Sequence, residues 1–203
     1  MKLPSTTRLE AFSDAVFAII TTILILEIHV PHLSELTPLA VLLALKPIIP
    51  KFISFTVTFF TLSIFWVNHH HFYNHIRHIN WKLLWLNVVF LFWLCILPFT
   101  TAFIGDYSES GMVVAIYSMN MFFCSTSFVF MGYYAFLRAD LSTNEISRKK
   151  MKNELYKGLI GTGVYLATTG LAFIWRPLAL FILFLIPFLF VVPAFFGVGD
   201  DEL

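Results

Sequence analysis

Charge is what this chain has least of. Asp, Glu, Lys and Arg make up 12% of its 203 residues, against roughly 25% in soluble domains. The two signs nearly cancel, leaving a formal net charge of +1. There is therefore no basic footprint for nucleic acid. Cysteine is scarce as well: Cys95 and Cys124 both fall deep in apolar runs, and two buried thiols make neither a disulfide framework nor a metal site. No phosphate-binding loop, no Gly-x-Ser-x-Gly elbow and no carboxylates at hydrolase spacing occur. Nothing points to an enzyme, a small-molecule substrate or a cofactor. A series of intramembrane carboxylates, as proton-driven transporters carry, is missing too.

What is present is apolar. The composition is 59% hydrophobic and 18% aromatic, with 24 Phe, and the mean hydropathy is +0.82. That excludes a disordered chain and a cytosolic globular enzyme, and leaves a multi-pass membrane protein embedded in a lipid bilayer. The expected architecture is all-α, one transmembrane domain over 1–203 with spans at about 11–30, 52–68, 83–104, 112–137, 159–175 and 178–196. The first run meets no Ala-x-Ala cleavage site and reads as a retained span. Residues 36–45 are apolar but too few to cross a bilayer, and read as an interfacial or partly inserted helix leading into the second span. Residues 69–82 read as a basic, His-rich loop, 105–110 as an acidic turn, and 138–157 as a polar, helix-sized cytoplasmic segment. Arg176-Pro177 is so short a link that the last two spans form a hairpin. The tail ends in Asp200-Asp201-Glu202.

With six spans, both termini share one side. That side holds Lys2, Arg8, Arg77, Lys82, Arg138, Arg148, Lys149, Lys150, Lys152 and Lys157; the other holds only Lys46, Lys51 and Arg176. By the positive-inside rule both termini are expected in the cytoplasm.

Polar residues are expensive in lipid, so each one is informative. Asp14 heads the first span in Arg8-Leu-Glu-Ala-Phe12-Ser13-Asp14-Ala-Val-Phe-Ala-Ile19. Near the membrane edge Ser13 or Asp14 suits a helix N-cap. The alternative is a buried node locking the first span to its neighbours, with Arg8, His69 and Asn87 as partners at similar depth. Further along, Ile19, Ile23 and Leu26 recur at i, i+4, i+7, with Thr22 flanking them. On periodicity alone this stripe suits packing or lipid. The alternative is a water-lined path whose apolar rings gate by dewetting, with Thr22 adding hydroxyls.

His71, His75 and His78 sit at i, i+4 and i+3 spacing, as a metal site on one helical face would need. A polar interfacial segment among Trp66, Trp81 and Trp85 is the favoured reading of that cluster. Gly161-Thr-Gly-Val-Tyr165 has the residue types of a potassium filter in the wrong order. Gly158, Gly161, Gly163 and Gly170 read instead as small residues for close helix packing.

Arg8-x-x-x-Phe12-Ser13-Asp14-Ala15-Val16-Phe17-Ala18-Ile19 resembles the signature of the transmembrane protein 175 family of potassium channels. The likeness extends through Trp66-x-x-His69, Leu84-Trp85-Leu86-Asn87 and Leu97-Pro98-Phe99. It implies a single-repeat, bacterial-type member in the inner (cell) membrane, assembled as a homotetramer around a central pore. Potassium is then the permeant ion, with no carbonyl filter and no cofactor. The resemblance places the first span on the pore axis, with apolar rings at Ile19, Ile23 and Leu26 and the pore hydroxyl at Thr22. It assigns Arg8, Phe12, Ser13, Asp14, Trp66, His69 and Asn87 to a cytoplasmic-side network that holds that span. His70 and His71 extend a single family histidine into a run that the resemblance does not explain. A small-cation secondary transporter or proton-leak pathway is the competing reading, and a non-conducting membrane scaffold a further one.

Overall fold

A computed structural model describes residues 3–33, 35–143 and 147–195, with backbone alone for Arg148 and for 190–195. Lys2, the acidic tail and the last residue of the expected sixth span lie outside the described residues. The described residues form eight α-helices: α1 Thr6–Leu26, α2 Pro38–Leu45, α3 Ile49–Asn74, α4 Trp81–Cys95, α5 Leu97–Tyr107, α6 Gly111–Tyr133, α7 Arg148–Ile174 and α8 Arg176–Phe195. They form six apolar passes. Five are long and apolar enough to cross a membrane by length and composition, and α8 adds a sixth, shorter apolar stretch.

Four starts have a side-chain cap. The Ser5 hydroxyl caps α1 by accepting from the Arg8 amide. Thr37 caps α2, with Pro38 at the first helical position. Asn80 caps α4 and Ser147 caps α7. Side-chain oxygens at these positions satisfy amides that have no intrahelical partner.

The boundaries differ from the sequence expectation in four places. α1 begins at Thr6, so Ser13 and Asp14 lie two turns inside it and cap nothing. α2 continues through a 3₁₀ turn, Lys46–Ile48, into α3, giving one 37-residue helical run, Pro38–Asn74. At 1.5 Å per residue that is about 55 Å, well beyond a hydrocarbon core of about 30 Å. The expected His-rich loop is therefore helical as far as Asn74. Finally, the basic residues after Ser147 are not a separate cytoplasmic helix but the first turns of α7.

The third pass breaks at Ile96, between α4 and α5. Pro98 cannot donate to the preceding turn and its ring crowds it. At the break the Trp93 carbonyl keeps a long bond from the Ile96 amide at 3.3 Å and gains a shorter one from the Asn120 side chain on α6, which donates to it at 3.0 Å. Lipid tolerates broken helices on this condition.

α6 is the hub. It packs most extensively on α7, and also on α4 and α5. Tight contacts hold it at both ends. A Cβ on Gly111 would meet the Ala172 carbonyl oxygen at 2.6 Å, and one on Gly158 of α7 would meet the Val129 methyl at 2.7 Å. Gly161, Gly163 and Gly170 face nothing within 4 Å, so of the four glycines expected to mediate packing only Gly158 does so. α1 sits at the side of this bundle, against α3, α4 and α5.

The hydrogen-bonded end and open face of the first helix

α1 has two sides. Leu9, Ser13, Phe17, Ile20 and Leu24 are buried, at spacings of four or three residues, and form the face that packs on the bundle. Ile19, Ile23 and Leu26 are 57%, 38% and 69% exposed, and Thr22 is exposed with them. The two sets lie on different sides of the helix because both follow the helical period. Among the described residues no neighbouring helix covers the second set.

At the N-terminal end of α1 a chain of hydrogen bonds enters the bundle. The Ser13 hydroxyl donates to the Leu9 carbonyl at 3.0 Å, the Asn87 amide donates to Ser13 Oγ at 3.0 Å, and Asn87 Oδ1 lies 2.9 Å from His69 Nε2. Asn87 Oδ1 is only an acceptor, so His69 donates through Nε2. Donation thus runs in one direction, from α3 through α4 into α1. All three side chains are fully buried. The imidazole is walled by Phe17 of α1, by Tyr73 and by Phe90 of α4. Its Nδ1 has no partner.

A second, shallower link runs beside this one. The Trp66 indole N–H donates to Asp14 Oδ1 at 3.0 Å. The two residues rim a groove of about 470 Å³ between α1 and α3, which also carries the hydroxyls of Thr21, Thr22 and Ser63.

The structure thus joins five of the seven expected network residues in two hydrogen-bonded pieces: Ser13, Asn87 and His69 inside, Asp14 and Trp66 at the edge. Arg8 and Phe12 are not brought in. Arg8 is exposed and forms no ion pair among the described residues, and Phe12 is 54% exposed. Arg8 is therefore not a partner of Asp14 within the subunit.

The histidine triplet is not assembled either. α3 ends at Asn74, so His75 is the residue that closes the helix and turns its Nδ1 back to the His71 carbonyl at 2.7 Å. His78 lies beyond the turn. The one-face argument required a helix through 78, and among the described residues no three His, Cys, Asp or Glu converge as metal ligands.

Two residues that sequence reasoning left unassigned join the site. His70 Nδ1 lies 3.1 Å from Glu10 Oε1. The signal was available: Glu10 and Asp14 are four apart on α1, Trp66 and His70 four apart on α3, so both pairs face each other across antiparallel helices.

Thr22 is the one hydroxyl among the exposed α1 residues singled out above. Its Oγ lies 3.0 Å from the Ala18 carbonyl and 2.9 Å from the Ile19 carbonyl. The hydroxyl proton is thereby committed to the backbone, and the oxygen lone pairs remain for a donor or cation on the open side.

Comparison with known proteins agrees with this layout. Residues 8–98 match the family model described as "Endosomal/lysosomal potassium channel TMEM175". A potassium channel of Chryseobacterium sp. (strain P1-3) is 30% identical over 189 residues, covering 92% of each chain. A potassium channel of Streptomyces collinus is also 30% identical, covering 85% of each. The crystal structure of a lysosomal potassium-selective channel TMEM175 homolog from Chamaesiphon minutus superposes with a TM-score of 0.82 at 26% identity, covering 92% of this chain and 96% of that one. The family model ends near the Pro98 break, while the relatives continue through the later passes. The chain belongs to the TMEM175 family of multi-pass membrane ion channels, not to an enzyme family.

Proposed function

We propose that this chain is one subunit of a homotetrameric, potassium-selective channel of a bacterial cell membrane, with both termini cytoplasmic and α1 lining the axis. One observation carries the reading. α1 is anchored along one face and at one end, yet leaves Ile19, Thr22, Ile23 and Leu26 uncovered. Four copies around an axis give these residues a shared interior.

In that arrangement the apolar side chains form rings. A ring of branched aliphatic groups dehydrates a narrow path and closes it without a moving lid. Ions that pass must shed water, which costs less for potassium than for the smaller sodium ion. Thr22 oxygens, with their protons turned to the backbone, replace part of the lost shell. The naming of the relatives as potassium channels supports the choice of ion.

Recording of the purified protein in a planar bilayer, with potassium opposed to sodium, tests this. Discrete potassium-selective currents are expected. Slow, saturable flux without unitary steps would instead make the protein a transporter, and silence would make it a scaffold.

A further inference from the structure

We propose that Glu10 and His70 are positioning residues: a charge clamp that fixes the N-terminal end of α1 to α3 and makes conduction respond to pH on that side of the membrane. The inference rests on the channel reading above.

The geometry has three parts. Glu10 and His70 are in contact at 3.1 Å, with side chains 23% and 50% exposed, so water reaches the pair. The imidazole stacks on the Trp66 ring, with centroids 6.3 Å apart and planes at 24°. Trp66 in turn holds Asp14. The clamp and the Asp14 link therefore share one aromatic ring, and α1 is held at two successive turns. His70 lies four residues from the end of α3.

The charges around the pair are few. From α1, Glu10 touches His70 directly, and Asp14 stands one turn further in, behind Trp66. On α3, the His71 ring is 6.4 Å from His70, His69 points into the bundle on the Asn87 side, and the Tyr73 phenol feels the Glu10 charge. Among the described residues no Lys or Arg is paired with Glu10.

The sign follows. A neutral His70 imidazole gives the Glu10 carboxylate one hydrogen bond, whereas a protonated one sets a cation against it at the same contact. Gain of that proton therefore tightens the hold on α1. Part-exposed pairs are modest, so the open probability should change by about two- to fivefold.

The test compares wild type, His70→Gln and Glu10→Gln at pH 7.5 and 6.0 on the face bearing the chain termini. Wild type should show the two- to fivefold change in potassium current, and both variants a flat response. Tryptophan fluorescence supplies a readout independent of current, because a protonated imidazole quenches an indole stacked on it. The acid quench should persist in Glu10→Gln, where His70 still gains its proton, and vanish in His70→Gln. A conducting wild type with a flat pH response, or a His70→Gln channel that keeps the response, overturns the clamp. A wild type that passes no potassium overturns the channel reading, and the pair's effect on conduction with it.

Discussion

α1 and α6 both cross the membrane, but they are held differently. In its most apolar window α6 is 50% buried and α1 only 28%. Polar groups of α6 are matched inside the subunit: Tyr117 to Thr58, Asn120 to Trp93 and Thr100, Ser125 to Thr162. On α1 the interhelical hydrogen bonds sit at Glu10, Ser13 and Asp14, all in the first half of the helix. From Ile19 onward nothing polar ties α1 to its neighbours among the described residues. A helix tied to its neighbours at Tyr117, Asn120 and Ser125, through its middle, is scaffold. A helix tied at one end, with one face free, is placed to serve something outside its own subunit.

The sharpest way to break this contrast is to cut the tie at Asn87. Asn87→Leu strands the His69 N–H in a buried, apolar setting and should destabilise the protein by about 3 kcal/mol. A lowered melting temperature and loss of the assembled form on size exclusion would report it. On the scaffold side, Asn120→Leu removes the bonds to the Trp93 carbonyl and the Thr100 hydroxyl and should cost about 2 kcal/mol, with the potassium/sodium reversal potential unchanged. A selectivity change as large as that from α1 variants would erase the distinction between the two helices. Smaller again is Ile19→Ser. This side chain is more than half exposed, so stability should hold, while loss of an apolar ring should raise the current about tenfold, or ~1.4 kcal/mol. An unchanged current would remove Ile19 from the constriction. Least is Thr22→Ala, expected to lower the potassium/sodium permeability ratio about fivefold, the equivalent of ~1 kcal/mol. An unshifted reversal potential would remove Thr22 from the selectivity element.

Much of this was legible in the sequence, and the unread part has physical reasons. The passes follow from apolar length, and the two-sided nature of α1 from Ile19, Ile23 and Leu26 at helical spacing. The inner network of Ser13, His69 and Asn87 came from the resemblance together with depth, since each is a polar residue at the same level of three apolar runs. What failed were the ends. Hydropathy stops at Asn68, yet α3 runs on to Asn74, because polar residues remain helical past the lipid when the backbone has no reason to turn. That error made a loop of the His run and hid the Glu10–His70 contact, while the metal face erred the other way, by needing a helix through His78. Arg8 was misplaced for a different reason: shared depth says nothing about azimuth, and Arg8 is exposed with no ion pair among the described residues. Pro98 was visible inside a span read as continuous over 83–104, but neither the break at Ile96 nor the Asn120 bond beside it was, because Asn120 lies on a different helix.

That bond also constrains how the protein is made. Trp93 and Asn120 are 27 residues apart in sequence, so the third pass emerges from the ribosome before its partner side chain exists. Until α6 follows, the Trp93 carbonyl has only the 3.3 Å bond from the Ile96 amide of its own pass. The break between α4 and α5 thereby gains its second donor only with the arrival of the next pass, and the order of synthesis becomes part of the packing of the bundle.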